Sequence, residues 1–402
     1  MSSPTAGGAA AEPGKLVPPG ATLGVLGGGQ LGRMFVHAAQ QMGYFTAVLD
    51  PDADSPAGRA SHHHVHADYG DVDALARLAG LSDAITTEFE NVPAAALEHL
   101  AVARPVAPDA AAVAIAQDRI REKAHFARCG VECAPYAVIE TAQQLEAVPA
   151  DLLPGILKTA RLGYDGKGQR RVSTRAELAT AWEDAAGLPC VLEKLLPLDF
   201  ECSVVLARSE DGQMVHFPPQ RNLHRDGVLA VTEVHADNMP AATARRAVAA
   251  ARSIAEGLSY VGVLCVEFFV LADGALVVNE MAPRPHNSGH WTLDACDVSQ
   301  FELQVRTLAG LPLNPPRQHS VAIMLNLLGD LWFVDGASEA RAPHWADVLA
   351  LPGTHLHLYG KAEARRGRKM GHLNITGDDI EAVRGTADFA AALLGLPIPL
   401  SE

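Results

Sequence analysis

The amino-acid sequence predicts a chain of mixed α/β and α+β class in three parts: an opening parallel sheet with helices on its faces, a strand-rich central unit and a small third unit. Three observations carry that reading. A strand from Thr22 to Leu26 runs into a glycine-rich turn and then a helix, the order of a parallel α/β sheet. Apolar runs of strand length recur from Gly155 to Asn279. Pro312, Pro315 and Pro316 then mark a linker before the next strand.

In chain order, Arg33 to Met42 has the apolar spacing of a helix, and a second strand, Phe45 to Leu49, ends at Asp50-Pro51. Asp83 to Phe89 reads as a later strand of the same sheet and Ala94 to Ala101 as a helix. The first domain is therefore expected over 21–117, behind a flexible extension, 1–20, rich in Ala, Gly and Pro. A helix over Asp118 to Cys129 opens the central domain, 118–312. Its strands are read at Gly155 to Lys158, Cys190 to Glu193, Glu201 to Ala207, Val263 to Val270 and Ala275 to Asn279. Val321 to Leu328 and His355 to Tyr359 belong to the C-terminal domain, 313–402.

With 402 residues, 48% of them hydrophobic, the chain can bury more than one core. A formal net charge of −15 argues against a nucleic-acid partner or an anionic membrane surface. Any anionic substrate must be met by local basic residues. Cys129, Cys133, Cys190, Cys202, Cys265 and Cys296 are scattered without a CxxC pair, which predicts reduced thiols in a cytoplasmic protein. No secretory signal and no membrane span is read.

The turn Gly27-x-Gly29-x-x-Gly32 with Asp50 beyond the next strand fits the dinucleotide fingerprint, and taken alone predicts an NAD-dependent oxidoreductase. The same glycines also serve any tight strand-to-helix turn. Either way, the turn predicts an anion site at a helix N-terminus. Lys158 then stands at a strand end before Gly163-Tyr164-Asp165-Gly166-Lys167-Gly168-Gln169. Glycines let backbone N–H groups approach phosphate oxygens and lysines offset their charge, so this segment suits a triphosphate cover; an exposed turn is the plainer alternative.

Glu267 interrupts the apolar run Val263 to Val270, and Glu280 follows the run ending at Asn279. Buried carboxylates are costly unless paired or bound to metal, and hard oxygen ligands suit Mg²⁺; a solvent-facing position is the alternative for either one alone. Asp273-Gly274 between the runs signals a hairpin. Counting outward from a two-residue turn pairs Val270 with Val277 and Phe268 with Asn279, and sets Glu267 opposite Glu280. Directly opposed like charges destabilise a sheet unless something neutralises them.

Met281 to Thr292 is dense in polar donors and is expected to be a substrate-recognising loop. The basic run from Lys361 to Lys369, with Arg365, Arg366 and Arg368, reads either as a solvated surface or as the phosphate site of an otherwise acidic protein. His62, His63, His64 and His66 lack further ligand spacing and read as a surface segment rather than a metal site.

Together these segments, with Gly27 to Met34, Arg284-Pro285-His286-Asn287-Ser288-Gly289-His290-Trp291-Thr292 and Gly367 to Asn374, resemble the 5-(carboxyamino)imidazole ribonucleotide synthases of the ATP-grasp superfamily. The likeness covers nearly everything after residue 20. It implies a Rossmann-like N-terminal domain, a central ATP-grasp domain, a small C-terminal domain and a homodimer. It further implies that Arg119, Lys158, the Gly163 to Gln169 loop, Glu193, Lys194, Leu195, Leu196, Glu201, His224, Asn279 and Glu280 hold ATP, and that Glu267 and Glu280 hold Mg²⁺. By the same likeness Gln30, Leu31, Glu88, Tyr164, Asp165, Ser288, Arg368 and Lys369 face the ribonucleotide, and Arg284, His286, Asn287 and Lys361 act on bicarbonate and the ribonucleotide. His286 is expected to handle the amine's proton. The sequence departs from the family pattern at Pro219-Gln220 and at His235, where a proline is expected.

Overall fold

In the computed structural model, which describes residues 16–161, 163, 168–333 and 339–397, the opening apolar run is the centre of a parallel sheet. β1 (Thr22–Leu26), β2 (Phe45–Asp50), β3 (His63–His66) and β4 (Ala84–Thr87) lie in the order β3-β2-β1-β4. All three pairings are parallel. Such strands are apolar on both faces because helices cover both. Leu23 and Val25 pack with Phe35 and Val36 of helix Gln30–Gln41. Leu26, Leu49 and Ile85 pack on the other side with Leu75, Leu78 and Leu97. The helix starts at Gln30, three residues before the expected start, because Gly32 sits inside its first turn and does not end the preceding loop. The expected extension also stops short of residue 20: Val17 is buried and its N–H donates to the Ala309 carbonyl at 3.0 Å.

β5 (Tyr136–Ile139), β6 (Gly155–Thr159), β7 (Gln169–Val172) and β8 (Cys190–Lys194) form a separate antiparallel sheet in the order β5-β8-β6-β7. Helix Arg175–Asp184 seals one face, with Leu178 and Ala181 on Leu157, Val172 and Leu192. Side chains alternate along a strand, so Ile156 and Lys158 of β6 point to the opposite face.

The third sheet is antiparallel and joins the central and C-terminal parts. β9 (Leu198–Arg208), β10 (Met214–His216), β11 (Gln220–Arg225), β12 (Val228–Val234), β13 (Gly262–Leu271), β14 (Leu276–Ala282), β15 (Val321–Leu328), β16 (Thr354–Leu358) and β17 (Lys369–Gly377) run in the order β14-β13-β9-β11-β12-β15-β17-β16, with β10 on β9. The C-terminal strands thus continue the central sheet through the β12–β15 pairing. Helix Ala241–Gly257 covers one face, where Ile254 meets Phe126, Leu264 and Phe268. Trp291 and Leu303 cover the other with Val205 and Cys265. Helix Ile380–Leu394 closes the C-terminal strands through Val383 and Ala387.

The β13–β14 hairpin corrects the expected register and keeps its result. The turn holds three residues, Ala272 to Gly274, since Leu271 donates to the Ala275 carbonyl at 2.8 Å and Gly274 takes a φ of +80°. That slips the pairing by one, so Val270 meets Leu276 and Phe268 meets Val278. A β-bulge between Glu267 and Phe268 slips it back, and Glu267 pairs with Glu280 after all. Asn279 is the extra residue. Adjacent residues of a regular strand face opposite sides, but the bulge lets Asn279 and Glu280 line one cavity together.

Candidate active site

Two cavities meet at the Glu267–Glu280 pair. The first, of about 610 Å³, lies between the free face of the β5–β8 sheet and the central sheet. Ile156 pairs with Arg171 on one side and Glu193 on the other, so these and Lys158, two residues along, make its upper wall. Gln169 lines the same wall. Lys158 and Glu193 are buried, and the Glu193 carboxylate stands 2.9 Å from both Lys158 Nζ and Lys123 Nζ. Burial would raise the Glu193 carboxyl, but the two ammonium groups outweigh it and hold it at about 2. Its side chain therefore orders the lysines; only its backbone and the following Lys194, Leu195 and Leu196 remain to frame a base.

Below, Glu201 and His224 line the first cavity and pair with each other, Oε2 to Nδ1 at 2.5 Å. Burial lowers the His224 ring, yet its bond to Glu201 and the nearby Glu267 carboxylate raise it on balance. Arg119 begins helix Arg119–Arg128, whose N-cap Asp118 accepts from Ile120 N–H and Arg121 N–H. That fixes its guanidinium at the shared wall, where Nη1 is 3.1 Å from Glu280 Oε2.

The second cavity, of about 420 Å³, opens toward the first sheet and includes Gln30, Leu31, Glu88, Gly163, Arg284 and Lys369 in its lining. Arg119, Glu267, Glu280, His286, Asn287 and Lys369 border both cavities. Burial and the facing Glu280 push the Glu267 carboxyl up to about 7. Asn279 Oδ1 is buried without a hydrogen-bond partner among the described residues, as are both polar atoms of the Asn287 amide. Two carboxylates in register beside an unpartnered amide oxygen are the donor set of a hard cation, so these residues fit Mg²⁺. Arg284 gives Nε to Glu90, and its Nη1 donates to the Pro285 carbonyl at 3.1 Å.

His286 bridges Glu267 and a buried serine. Its Nδ1 accepts from Ser288 N–H at 3.3 Å and meets Ser288 Oγ at 2.8 Å, while Nε2 is 3.2 Å from Glu267 Oε1. Both ring nitrogens are thus engaged with protein, so the expected handling of the amine's proton would need one of these contacts to give way. Ser288 is corrected as a direct ligand contact: it is fully buried, bonded to Ser203 Oγ at 2.9 Å, and reaches the cavity only through His286.

The basic run divides. Lys369 borders both cavities, whereas Arg365 and Arg366 pair with Glu363 and Asp330 at the surface. Lys361 and Arg368 line neither of the two meeting cavities: Lys361 Nζ donates to the Lys369 carbonyl at 2.5 Å in a neighbouring hollow, and Arg368 Nη1 donates to the Glu363 carbonyl at 3.1 Å. Tyr164, Asp165, Gly166 and Lys167 lie outside the described residues, and Gly168 is placed beside Thr159.

The glycine-rich turn is an anion site whose anions are the chain's own. Gly29 N–H and Gly32 N–H donate to Glu88 at 2.6 and 2.8 Å, and Gly28 N–H donates to Asp50 at 2.6 Å. Asp50 also accepts from Tyr69 Oη–H at 2.6 Å. The Gly28, Gly29 and Gly32 N–H groups and the Asp50 carboxylate are thus taken up by the chain itself rather than offered to a pyrophosphate and a ribose, which tells against the dinucleotide expectation. His62, His64 and His66 bond instead to Thr46, Ser55 and the Pro51 carbonyl, and no metal-binding cluster of three His, Cys, Asp or Glu residues occurs among the described residues. The departures at Gln220 and His235 lie outside the lining of both cavities; His235 Nε2 pairs with Glu233 at 3.0 Å.

Sequence reasoning missed Lys123, Glu90, Glu122 and Arg171. Glu122 and Lys123 had a signal in a charged pair on the inward face of a helix. Glu90 had none.

Three comparisons bear on this site. The sequence matches the ribonucleotide synthetase preATP-grasp domain over residues 20–117, the ATP-grasp domain over 124–301 and the phosphoribosylaminoimidazole carboxylase C-terminal domain over 322–386. It is 44% identical over 358 residues to the N5-carboxyaminoimidazole ribonucleotide synthase of Brucella melitensis, covering 88% of this chain and 96% of that one. The fold is similar to the Staphylococcus aureus N5-carboxyaminoimidazole synthetase solved with ADP, with a TM-score of 0.85 and 35% identity over 94% of this chain and 98% of that one. It is likewise similar to the Aspergillus clavatus enzyme solved with ADP and 5-aminoimidazole ribonucleotide, with a TM-score of 0.83 and 29% identity over 93% and 98%.

Proposed function

Since the chain belongs to the N5-carboxyaminoimidazole ribonucleotide synthase family of ATP-grasp enzymes, we propose that its first cavity holds ATP and its second holds aminoimidazole ribonucleotide and bicarbonate. The reaction is the ATP-dependent carboxylation of 5-aminoimidazole ribonucleotide to the N5-carboxyamino product in purine biosynthesis, an ATP-grasp ligase activity. One observation carries the residue-level reading: the two cavities share a wall at Glu267, Glu280, Arg119, Asn287 and Lys369. A γ-phosphate at that wall would be within reach of both nucleotide and acceptor.

In this reading Leu195 and Leu196 frame the base, Lys158 and Arg119 lie along the phosphates, and the Gly163 to Gln169 loop covers them. A bicarbonate oxygen attacks the γ-phosphorus as the bond to the β-phosphate oxygen breaks, giving ADP and carboxyphosphate. Little covalent work falls to the protein, so positioned charge does most of the catalysis. Glu267, Glu280 and Asn279 would hold Mg²⁺, which when bound offsets phosphate charge. Arg284 and the unpartnered amide of Asn287 supply donors for the carboxyphosphate oxygens. Carboxyphosphate then yields CO₂ and phosphate, and the exocyclic amine bonds to the carbon. With both His286 nitrogens engaged, the released phosphate is the base that takes the amine's proton. Closing the cavities excludes water from the labile intermediate.

Lys361 and Arg368 belong to this reading as ligands of the ribonucleotide phosphate, a role that needs the C-terminal loop to approach the second cavity. The reading also includes a homodimer in the cytoplasm. No helix among the described residues is long and apolar enough to cross a membrane. Phosphate release from ATP, measured with bicarbonate and the ribonucleotide together and singly, tests the assignment. Release that depends on the ribonucleotide supports it, and ATP hydrolysis indifferent to the ribonucleotide would overturn it.

A further inference from the structure

We propose that His290 is a further substrate-contacting residue, a neutral imidazole whose Nε2–H donates to an uncharged acceptor atom of the ribonucleotide, with Gln300 and His372 as the positioning residues that keep it so. The inference rests on reading the second cavity as the ribonucleotide site.

The tautomer follows from the Gln300 amide. His286 N–H donates to Gln300 Oε1 at 2.9 Å, and Gln300 Nε2–H donates to the His286 carbonyl at 2.8 Å. Exchanging the amide oxygen and nitrogen would set donor against donor and acceptor against acceptor, so the backbone of His286 fixes which atom is nitrogen. That nitrogen lies 3.1 Å from His290 Nδ1. Its second hydrogen therefore points at Nδ1, which must accept, and the ring proton resides on Nε2.

The surroundings hold the ring uncharged and still. His290 is 1% exposed. Its ring centroid is 4.6 Å from that of His372, which stacks at 4.5 Å on His357. His357 Nε2 in turn is 2.8 Å from Asp294 Oδ2, so the one carboxylate of the group serves the far end of the stack. Phe301 and Tyr359 close the remaining sides, and Tyr359 Oη meets His372 Nδ1 at 3.0 Å. Asn374 of β17 donates to the His290 carbonyl at 3.0 Å and to Asp294. The cationic groups facing His290 are His357, Lys369 and Arg284; burial first, and then these, keep its ring well below the usual imidazole range.

What remains is Nε2. His290 lines the second cavity beside Leu31, Arg284 and Lys369, and among the described residues nothing bonds this nitrogen. The contrast with His286, whose Nε2 serves Glu267, is direct. A neutral donor fixed among cations suits a ring nitrogen or a ribose hydroxyl oxygen, whereas anionic oxygens in this cavity are better met by the charged Lys369 and Arg284 beside it.

The test pairs kinetics with a spectrum. In the full-length enzyme, His290→Leu should raise KM for the ribonucleotide about tenfold, the worth of one buried hydrogen bond, and leave KM for ATP within about twofold. His290→Gln, whose amide nitrogen falls near the place of Nε2, should recover part of that loss. The long-range proton–nitrogen spectrum of histidine-labelled protein should show δ1 of His290 bare and ε2 protonated without any ligand. Gln300→Glu should move the proton to δ1 and raise the same KM. Equal changes in both Michaelis constants, no change in either, or a protonated δ1 in the native enzyme would overturn the inference. A native enzyme indifferent to the ribonucleotide would instead overturn the site assignment, and the spectrum would still report the tautomer.

Discussion

Asp50 and Glu88 beneath the first glycine-rich turn, and buried Glu267 with part-exposed Glu280 at the shared cavity wall, are two groups of carboxylates with opposite surroundings. Burial raises both Glu88 and Glu267, so desolvation does not separate them. Partners do. Glu88 accepts from Gly29 N–H and Gly32 N–H, and Asp50 from Gly28 N–H and Tyr69. Glu267 has a second carboxylate across the strand pair and an imidazole. The first group completes a helix N-terminus, although Glu88 also borders the second cavity; the second, where only Glu280 has a cationic partner in Arg119, is the group that the proposed function completes with a metal ion. A fingerprint of glycines announces donors, and only the fold tells whether the chain itself supplies the anion.

The sharpest way to break this contrast is to remove charge from the incomplete group. Glu280→Gln should lower kcat for ribonucleotide-dependent phosphate release by about 100- to 1000-fold, the scale of losing one charge-stabilising group. Its thermal midpoint should stay within a few degrees, because relief of the opposition to Glu267 offsets the loss of the ion pair with Arg119, to which the amide oxygen can still accept. Normal turnover in this variant would remove the metal site from the reading.

How far the sequence announced this contrast can be judged at the same residues. The opposition of Glu267 and Glu280 was legible, though by counting from a turn one residue too short; the bulge at Asn279, invisible in the pattern, restored the register. Apolar strands such as β1, β13 and β15 were legible from periodicity. Polar strands were not: Gln169-Arg170-Arg171-Val172 and Gln220 to Arg225 bury too little apolar surface to show alternation, and they hold position through neighbouring strands. Lys123 and Glu90 act on partners 70 and 194 positions away in sequence, Glu193 and Arg284, a pairing that no local pattern records.

Glu193 sharpens the comparison, because it lines the nucleotide cavity yet has both oxygens paired, and by the rule drawn above it should behave as a structural carboxylate. Its folded-state pKa of about 2 lies below the ordinary value of 4.5. A depressed carboxyl contributes stability that is present above 4.5 and lost as pH falls toward 2, in full on the order of 3 kcal/mol. The native enzyme's stability advantage over Glu193→Gln, read from urea unfolding, should therefore shrink by roughly 1.4 kcal/mol between pH 7 and pH 3.5. A constant advantage across that range would show that the two lysines do not hold the carboxylate charged.

The smallest expected effect belongs to the completed group and is the most direct check on its being structural. Asp50→Asn keeps an oxygen able to accept from Gly28 N–H, so the turn need not open, but it replaces charge-assisted bonds from Gly28 and Tyr69 by neutral ones. Neutral bonds are worth about half as much, which puts the loss near 1–2 kcal/mol. The amide also brings a donor into a place built from donors. Gly28 N–H and Tyr69 Oη–H both reach the same Asp50 oxygen, Oδ2, while Oδ1 accepts from Asp52 N–H at 2.8 Å, so an amide that keeps its oxygen toward Gly28 and Tyr69 sets its NH2 against Asp52 N–H, which is the partner lost. Thermal unfolding should register that loss as a midpoint lowered by a few degrees. Because Asp50 lines neither cavity, kcat and both Michaelis constants should match the native enzyme at a temperature where both variants are folded. A large kinetic change with unaltered stability would mean that the first turn reaches the chemistry after all, and the division between completed and incomplete carboxylates would fail at its simpler end.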